Sequence, residues 1–118
     1  MHWQRQFGFT VCIICKGEFE WEYFFTADLH FDDKNIILYE NRPFENVNEM
    51  NNKLVENWNS VVSINDEVYV VGDFGGNGRE ENILSMLNGV KYIVKGNHDI
   101  RSNEYYRQVG FRNCWEIS

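Results

Sequence analysis

The sequence predicts an α/β fold in which at least some of the strands pair parallel. Short runs rich in β-branched and aromatic residues at 23–27, 67–71 and 92–95 predict strands. Helical patterns separate these runs, and the connections between them are short. Strands that alternate with helices favour parallel pairing, because each helix returns the chain to the same end of the sheet.

Length and composition are those of one globular domain. The chain has 118 residues, of which 43% are hydrophobic and 16% aromatic, which suits one core and not two. The formal net charge is -7, which argues against long nucleic acids as partners because such binders normally carry a basic face. No apolar stretch reaches the length of a membrane span, so we expect no membrane partner.

The cysteines indicate reduced thiols. The sequence contains three, Cys12, Cys15 and Cys114. An odd number whose spacing fits no disulfide framework favours a cytoplasmic setting. Cys12 and Cys15 have the spacing of a C-x-x-C motif. However, no second ligand pair lies nearby and the motif sits inside an apolar run, so neither a zinc site nor a redox function is favoured.

The chain divides into an N-terminal extension at 1–20, to which no pattern assigns a role, and a domain at 21–118. Within the extension, the apolar run at 9–14 is compatible with either a strand or a segment outside the core. An extension of this kind could also cover apolar surface of the domain.

The first part of the domain combines a strand with a short helix. The strand at 23–27 ends at Asp28, and Asn35 is expected to cap a helix that runs through Leu38. Pro43 ends this segment, because the residue before a proline is pushed out of helical space.

The longest helix is predicted at 47–62. Its apolar residues recur at spacings of a helical face and form one stripe that we assign to the core: Met50, Leu54, Trp58 and Val61. A shorter helix at 80–87 is expected to turn three apolar side chains inward: Ile83, Leu84 and Leu87. We attach no function to either helix.

The glycine-rich loop at 75–78 is interpreted as a connector, since it lacks the Gly-Lys-Ser/Thr ending of a phosphate-binding loop. Gly96, after the strand at 92–95, permits a close approach of two backbones. A short helix at 103–108 follows, and 114–117 begins another strand.

Polar side chains follow three of the predicted strands. They are Asp28 and His30, then Asp73, then Asn97 and His98. Each alone has an ordinary interpretation as a turn or loop residue. If the strands are neighbours, however, the side chains meet at one edge, where their oxygen and nitrogen atoms suit divalent ions such as Mn, Fe or Zn. A pair of such ions promotes phosphate ester hydrolysis.

The same residues carry a family resemblance. Asp28-Leu29-His30, Gly72-Asp73 and Gly96-Asn97-His98-Asp99 resemble the first three signature blocks of the calcineurin-like metallophosphoesterases. Stretches 25–31, 34–37 and 40–44 are similar to small single-domain bacterial and phage members. The resemblance implies the family fold, an α+β sandwich of mixed β-sheets flanked by helices, with two metal ions at the strand ends.

The resemblance also implies metal ligands. Asp28 and His30 would bind the first ion, Asp73 would bridge both ions, and Asn97 would bind the second ion. Both ions would be divalent, with Mn, Fe, Zn or Ni as candidates.

Catalytic and substrate contacts are implied in the same way. His98 would face the phosphate ester, either stabilising the phosphoryl group or protonating the leaving group, and Asp99 would hold His98 in position. Asn97 and Arg42 are further expected substrate contacts.

Two departures from the family pattern stand out. The family normally supplies a later lone histidine and a Gly-His-x-His pair, whereas this chain has only His2, His30 and His98. The sequence thus resembles the N-terminal part of a family domain. In addition, Asp32 and Asp33 stand where small relatives often carry Gly-His. They could add carboxylates near the metals or form a solvated loop, and we favour the loop.

Two functional hypotheses follow. The first is a metal-dependent phosphoesterase that uses activated water at a dinuclear centre. The second is an inactive or fragmentary domain that acts as a metal-binding or interaction module. In either case an incomplete sheet would leave an edge and an apolar face without a partner, and we expect a tendency to form homodimers through them.

Overall fold

Within the part of the chain that the structure describes, six strands form one mixed sheet and follow one another in chain order. The computed structural model describes the backbone of residues 2–6, 9–16 and 22–116, and the side chains of 23–116. The strands are β1 (His2–Gln6), β2 (Phe9–Lys16), β3 (Glu22–Ala27), β4 (Glu67–Val71), β5 (Val90–Lys95) and β6 (Asn113–Glu116). β1 to β3 pair antiparallel and β3 to β6 pair parallel. The predicted α/β class is therefore confirmed.

β2 decides between the two interpretations of the segment at 9–14. It is a strand, and it pairs with β3 so that Cys12 lies opposite Phe25. Cys15 lies beyond an irregularity in the register that begins at Ile13. The predicted boundary after residue 20 falls in 17–21, outside the described residues, and stays a prediction.

The described helices are α1 (Lys34–Tyr39), α2 (Val47–Val61), α3 (Glu80–Met86) and α4 (Asn103–Val109). The cap of α1 differs from the prediction, since the side chain of Asp33 accepts a hydrogen bond from the Asn35 N–H and Asn35 is inside the helix. Asn46 caps α2 and Ser102 caps α4 in the same way. Each cap satisfies a backbone N–H that the helix leaves without an intrahelical acceptor.

One face of the sheet carries the hydrophobic core. Buried residues of β3, β4, β5 and β6 form a single cluster with residues of α2, α3 and α4. The predicted stripe on α2 is confirmed for Met50, Leu54 and Trp58 but not at its end. Val61 is 41% exposed and Val62 is 4% exposed, because α2 ends at Val61 and the extended backbone of Val62 turns its side chain inward.

The other face of the sheet carries a row of aromatic rings. Phe25 stacks on Tyr69 at 5.0 Å, Tyr69 on Tyr92 at 4.7 Å and Tyr92 on Trp115 at 6.0 Å between ring centroids. The first three side chains are half-buried, and Trp115 is 42% exposed. No described helix packs its core residues on this side, so the row forms an exposed aromatic face. None of the described helices is both long and apolar enough to cross a membrane.

Candidate metal centre

The carboxyl ends of β3, β4 and β5 meet because these strands are parallel neighbours. Backbone hydrogen bonds continue past the strands: the Asp28 N–H donates to the Gly72 carbonyl at 3.2 Å, and the His30 N–H to the Asp73 carbonyl at 3.0 Å. A Cβ at Gly96 would lie 2.7 Å from Oδ1 of Asp73, so only glycine allows the β5 loop to approach this closely. The loops after the strands are therefore held side by side.

Three of the predicted ligands lie together. Asp28, His30 and Asp73 each offer a ligand atom, and these atoms lie within 4.8 Å of one another. Nε2 of His30 is 3.9 Å from Oδ2 of Asp73. Burial raises the pKa of Asp28, and the neighbouring Asp73 carboxylate raises it further. Two carboxylates and an imidazole in this arrangement suit a divalent cation, whose charge would compensate the repulsion between the acids.

Three of the six described non-glycine residues with a positive φ are the candidate ligands. Asp28, His30 and Asp73 have φ angles of 58°, 55° and 55°, in the left-handed region that non-glycine residues seldom adopt. Each such conformation costs about 1–3 kcal/mol and persists only where the surrounding contacts enforce it. The observed strain is the kind that folded proteins maintain at functional sites.

Asp33 lies against the second nitrogen of His30. Its Oδ2 is 3.6 Å from Nδ1 of His30, and its other oxygen caps α1. A carboxylate beside the outer nitrogen of a ligating histidine fixes the tautomer and leaves the inner nitrogen to bind the metal. Neighbouring Asp32 accepts hydrogen bonds from Asn51 and Arg79, both at 3.1 Å. The solvated-loop interpretation therefore does not hold for Asp32, whose side chain is 13% exposed. Asp33 keeps a side-chain exposure of 37% while it lies beside His30.

Asp99 has a different role from the predicted one. Its carboxylate is 3% exposed and accepts three backbone N–H groups, from Asp73 at 2.7 Å, Gly96 at 2.8 Å and Phe74 at 3.1 Å. These donors occupy both oxygens, so the carboxylate ties the β4 loop to the β5 loop. The expectation that it orients the His98 imidazole is replaced by this contact.

Asn97 and His98 lie at the exposed end of β5. The His98 N–H donates to Oδ1 of Asp73 at 3.1 Å, which leaves Oδ2 of Asp73 facing His30. The His98 ring lies 5.6 Å from the His30 ring, between centroids. Both Asn97 and His98 side chains are exposed, and the contacts of His98 with Asp73 and His30 place His98 at the edge of the cluster.

Arg42 does not lie where a substrate could reach it. Its side chain is 0% exposed, and its guanidinium donates to the carbonyls of Asp28 at 2.8 Å and Leu29 at 2.9 Å. The substrate contact predicted for Arg42 is thus replaced by a contact with the loop that carries Asp28 and His30. The sequence contained no local signal for this contact, because Leu29 and Asp28 lie 13 and 14 residues before Arg42 in the chain.

A cavity of about 540 Å³ opens beside the cluster. His98 lies in its wall, together with Asp33, Lys34, Asn77 and Arg101. The guanidinium of Arg101 lies 5.3 Å from the centre of the Tyr105 ring. This size suits a small organic molecule, and its position puts such a molecule next to the imidazole of His98.

Comparison with known proteins decides the family. A model of the calcineurin-like phosphoesterases matches residues 23–117. The chain belongs to the calcineurin-like phosphoesterase family. The resemblance first seen in the strand-end motifs is thereby confirmed. Asp28, His30, Asp73 and the loop at 96–99 all lie within the matched range.

Two relatives are similar to this chain, and neither name states a function. The chain is 42% identical over 89 residues to uncharacterized protein MJ1445 of Methanocaldococcus jannaschii, covering 72% of this chain and 50% of that protein. It is 32% identical over 80 residues to the Gene 66 protein of Mycobacterium phage L5, covering 64% of this chain and 38% of that protein. The chain thus spans half or less of the length of these curated relatives.

A solved structure supports the fold. The crystal structure of AQ665 from Aquifex aeolicus, a protein of unknown function, matches with a TM-score of 0.63 and 24% identity. The match covers 81% of this chain and 52% of that one. At this identity the similarity concerns the fold alone. It agrees with a mixed α/β fold in which helices flank the parallel strands β3 to β6.

Proposed function

We propose that this chain hydrolyses phosphate esters with divalent metal ions held at the ends of β3, β4 and β5. The observation that carries the proposal is the convergence of Asp28, His30 and Asp73, whose ligand atoms lie within 4.8 Å of one another in a member of this family. Asp28 and His30 would hold a first ion, and Asp73 would be shared with a second ion at Asn97. Bound ions would supply positive charge at the phosphoryl group and acidify the attacking water.

The remaining chemistry is assigned to His98. Its exposed imidazole borders the metal ligands and the cavity, so it can donate a hydrogen bond to a phosphoryl oxygen or a proton to the leaving oxygen. The organic group of the ester would lie in the cavity of about 540 Å³. Asn97 would bind the phosphate through its amide as well as the second ion. Arg42 is left out of the substrate contacts, because its side chain is 0% exposed.

The test compares turnover of p-nitrophenyl phosphate and bis-p-nitrophenyl phosphate in the wild type and in Asp73→Asn, with manganese added. The amide keeps the size of the side chain and an oxygen for the His98 N–H, but it removes the charge. We expect turnover to fall at least about a hundredfold, equivalent to about 2.7 kcal/mol of transition-state stabilisation. Glu56→Gln, which removes an exposed carboxylate on α2, should retain wild-type turnover.

A second candidate is a non-catalytic metal-binding or interaction module. It is favoured by the size of the ligand group among the described residues, because Asp28, His30 and Asp73 offer three ligand atoms, a number that suits a single ion. The same assay separates the two candidates. Tight binding of at most one ion without manganese-dependent turnover of either ester supports the module and rejects the enzyme.

The exposed aromatic face offers a surface for the expected homodimer. Two copies that pack these faces together would bury the rings of Tyr69 and Tyr92 and the exposed part of Trp115. Sedimentation velocity over a range of concentrations tests this contact, and a monomer at every concentration rejects it. The net charge of -7 continues to disfavour long nucleic acids as partners, and a cytoplasmic setting remains part of the proposal.

A further inference from the structure

We propose that Arg42 is a positioning residue that holds Asp28 and His30 in the orientation needed to bind a metal ion. The inference rests on the proposed function, since it assigns these two residues to the metal. Arg42 itself touches neither metal nor substrate. It acts through the two peptide groups that join Asp28, Leu29 and His30.

The contacts of Arg42 place it against this loop from inside the protein. Nη2 donates to the Asp28 carbonyl at 2.8 Å, and Nη1 donates to the Leu29 carbonyl at 2.9 Å. On its other side, Nε and Nη2 donate to Oε1 of Glu40 at 3.0 and 2.8 Å. With an exposure of 0% for the side chain, the cation has no access to water, and these oxygens are the acceptors that compensate its desolvation.

The two carbonyls are the ones that matter for ligand geometry. They belong to the peptide groups between Asp28 and Leu29 and between Leu29 and His30. The rotation of these two groups sets how the Asp28 and His30 side chains are directed relative to each other. Both flanking residues have left-handed φ angles, 58° and 55°, so relaxation of the loop would rotate one of the two peptides.

The loop is held from two sides. The Asp28 and His30 N–H groups donate to carbonyls of the β4 loop, while the Asp28 and Leu29 carbonyls accept from Arg42. Leu29 lies between them with a side-chain exposure of 0%. The Leu29–His30 peptide group is thus held at both its carbonyl and its N–H, and Arg42 also holds the carbonyl of the Asp28–Leu29 group. Removing Arg42 would release both carbonyls.

The geometry requires arginine because a guanidinium presents two parallel donors in one rigid plane. Lysine keeps the charge and most of the stem but offers a single compact ammonium group. Its three donors are not fixed in one plane and lie on a shorter stem, so they do not reproduce the planar set of contacts with Glu40 and the two carbonyls. Arg42→Lys is therefore the conservative variant that separates a planar clamp from a buried positive charge.

The experiment measures manganese affinity by electron paramagnetic resonance of free Mn²⁺, together with amide hydrogen exchange in metal-free protein. We expect Arg42→Lys to weaken manganese binding about 10- to 100-fold, the range seen for outer-shell residues of metal sites. Exchange at the Asp28 and His30 amides should accelerate at least about tenfold, because loop opening becomes easier without the planar guanidinium.

Matched controls separate positioning from general stability. Val62→Ala and Leu87→Ala truncate core side chains that are each 4% exposed. Both residues precede a strand, β4 or β5, and so lie at the end of the sheet opposite the metal ligands. These variants should lose stability while they retain wild-type manganese affinity and local exchange rates, measured where each protein is fully folded.

A second variant keeps the proposal testable if Arg42→Lys does not fold. Glu40→Gln retains the guanidinium but weakens the partner that orients it, so exchange at the His30 amide should rise by a smaller factor. Unchanged exchange in Glu40→Gln counts against the clamp. Wild-type manganese affinity in Arg42→Lys, or an equal loss of affinity in the two core variants, overturns it.

Failure of this inference is distinguishable from failure of the proposed function. A wild type that binds manganese but hydrolyses neither ester rejects the enzyme, and Arg42→Lys still decides the role of Arg42. An active wild type whose affinity and exchange are unchanged by Arg42→Lys rejects only the clamp. A wild type that binds no manganese rejects both.

Discussion

The loops after β3 and β5 face the same site but are built differently. Asp28 and His30 follow β3 on a strained backbone whose N–H groups and carbonyls are both bound, and His30 is 7% exposed. Asn97 and His98 follow β5 with exposed side chains, and their loop is tied to the β4 loop by the Asp99 carboxylate and by the His98 N–H, which donates to Asp73. A rigid loop suits the retention of an ion, whereas exposed side chains suit contact with a molecule that enters and leaves.

The two loops also use their carboxylates differently. Asp28 directs its charge into the cluster, where burial and Asp73 raise its pKa. Asp99 directs its charge at three backbone N–H groups, so it is already satisfied without an ion. Acidic residues in these two loops thus divide between candidate ligand and scaffold, and only their partners distinguish the two roles.

The largest effect is expected for His98→Gln, which tests whether the loops after β3 and β5 have different roles. If the β5 loop serves the substrate, turnover should fall about 10²- to 10⁴-fold, the usual contribution of a general acid or base. Manganese affinity should stay within about twofold of wild type, because His98 borders the ion ligands without joining them. Steady-state kinetics and manganese titration measure the two quantities.

A large loss of manganese affinity in His98→Gln would show that the two loops do not have different roles. It would place His98 among the metal ligands and make both loops parts of one ion-binding shell. The His30 and His98 rings lie 5.6 Å apart, close enough to bind one ion together. In that case His30→Gln would lose as much manganese affinity as His98→Gln.

The next largest effect concerns stability. Asp99→Ala removes the acceptor of three backbone N–H groups, and we expect a loss of about 3 kcal/mol in the free energy of unfolding, since hydrogen bonds to buried charged groups carry the largest penalties. Urea unfolding measures it. Glu104→Gln, at an exposed position in the first turn of α4, is the control for loss of an acidic charge.

A loss below about 1 kcal/mol in Asp99→Ala would mean that water replaces the carboxylate. In that case Asp99 is not the scaffold of the β5 loop, and an effect on turnover alone would return it to the predicted role beside His98.

The smallest effect is expected for Asp33→Asn. Asparagine caps a helix as well as aspartate does, so α1 should persist, while the imidazole of His30 loses its neighbouring charge. Manganese affinity should fall about tenfold, at the low end for outer-shell partners. Asp32→Asn removes the same charge one residue earlier and should have a smaller effect, because Asp32 faces Arg79 and Asn51.

Equal losses in Asp33→Asn and Asp32→Asn would point to a general field effect of the acidic loop. The distance of 3.6 Å between Oδ2 of Asp33 and Nδ1 of His30 would then have no specific consequence for the ion.

Much of the architecture was predictable from local patterns. The strands from β3 onward and all four described helices lie within a few residues of their predicted ranges. Periodic apolar residues and glycine at turns act over short distances along the chain, so they can be recognised without coordinates. The sequence left β2 open between two interpretations, because a strand of an extension has the same local pattern as a strand of the core.

The side-chain roles at the site were harder to predict. Arg42, Asp33 and Asp99 each differ from their expected position or partner, and the reason is the same in each case. Two of them bind backbone groups of segments 13 to 26 residues away, and Asp33 lies against a histidine whose direction depends on such contacts. Residue types and spacing contain no information on which distant peptide lies next to a given side chain.

The sequence by itself determined that metal-competent residues follow three apolar runs, and it predicted that Asp28, His30 and Asp73 share one edge of the sheet if those strands are neighbours. That follows from the alternation of strand and helix, which restricts the topology. Only the tertiary structure decided how the edge is built: which carboxylate ties the loops, which arginine lies beneath the ligands and which face of the sheet stays exposed. Those features depend on contacts between segments that meet only when the chain is folded.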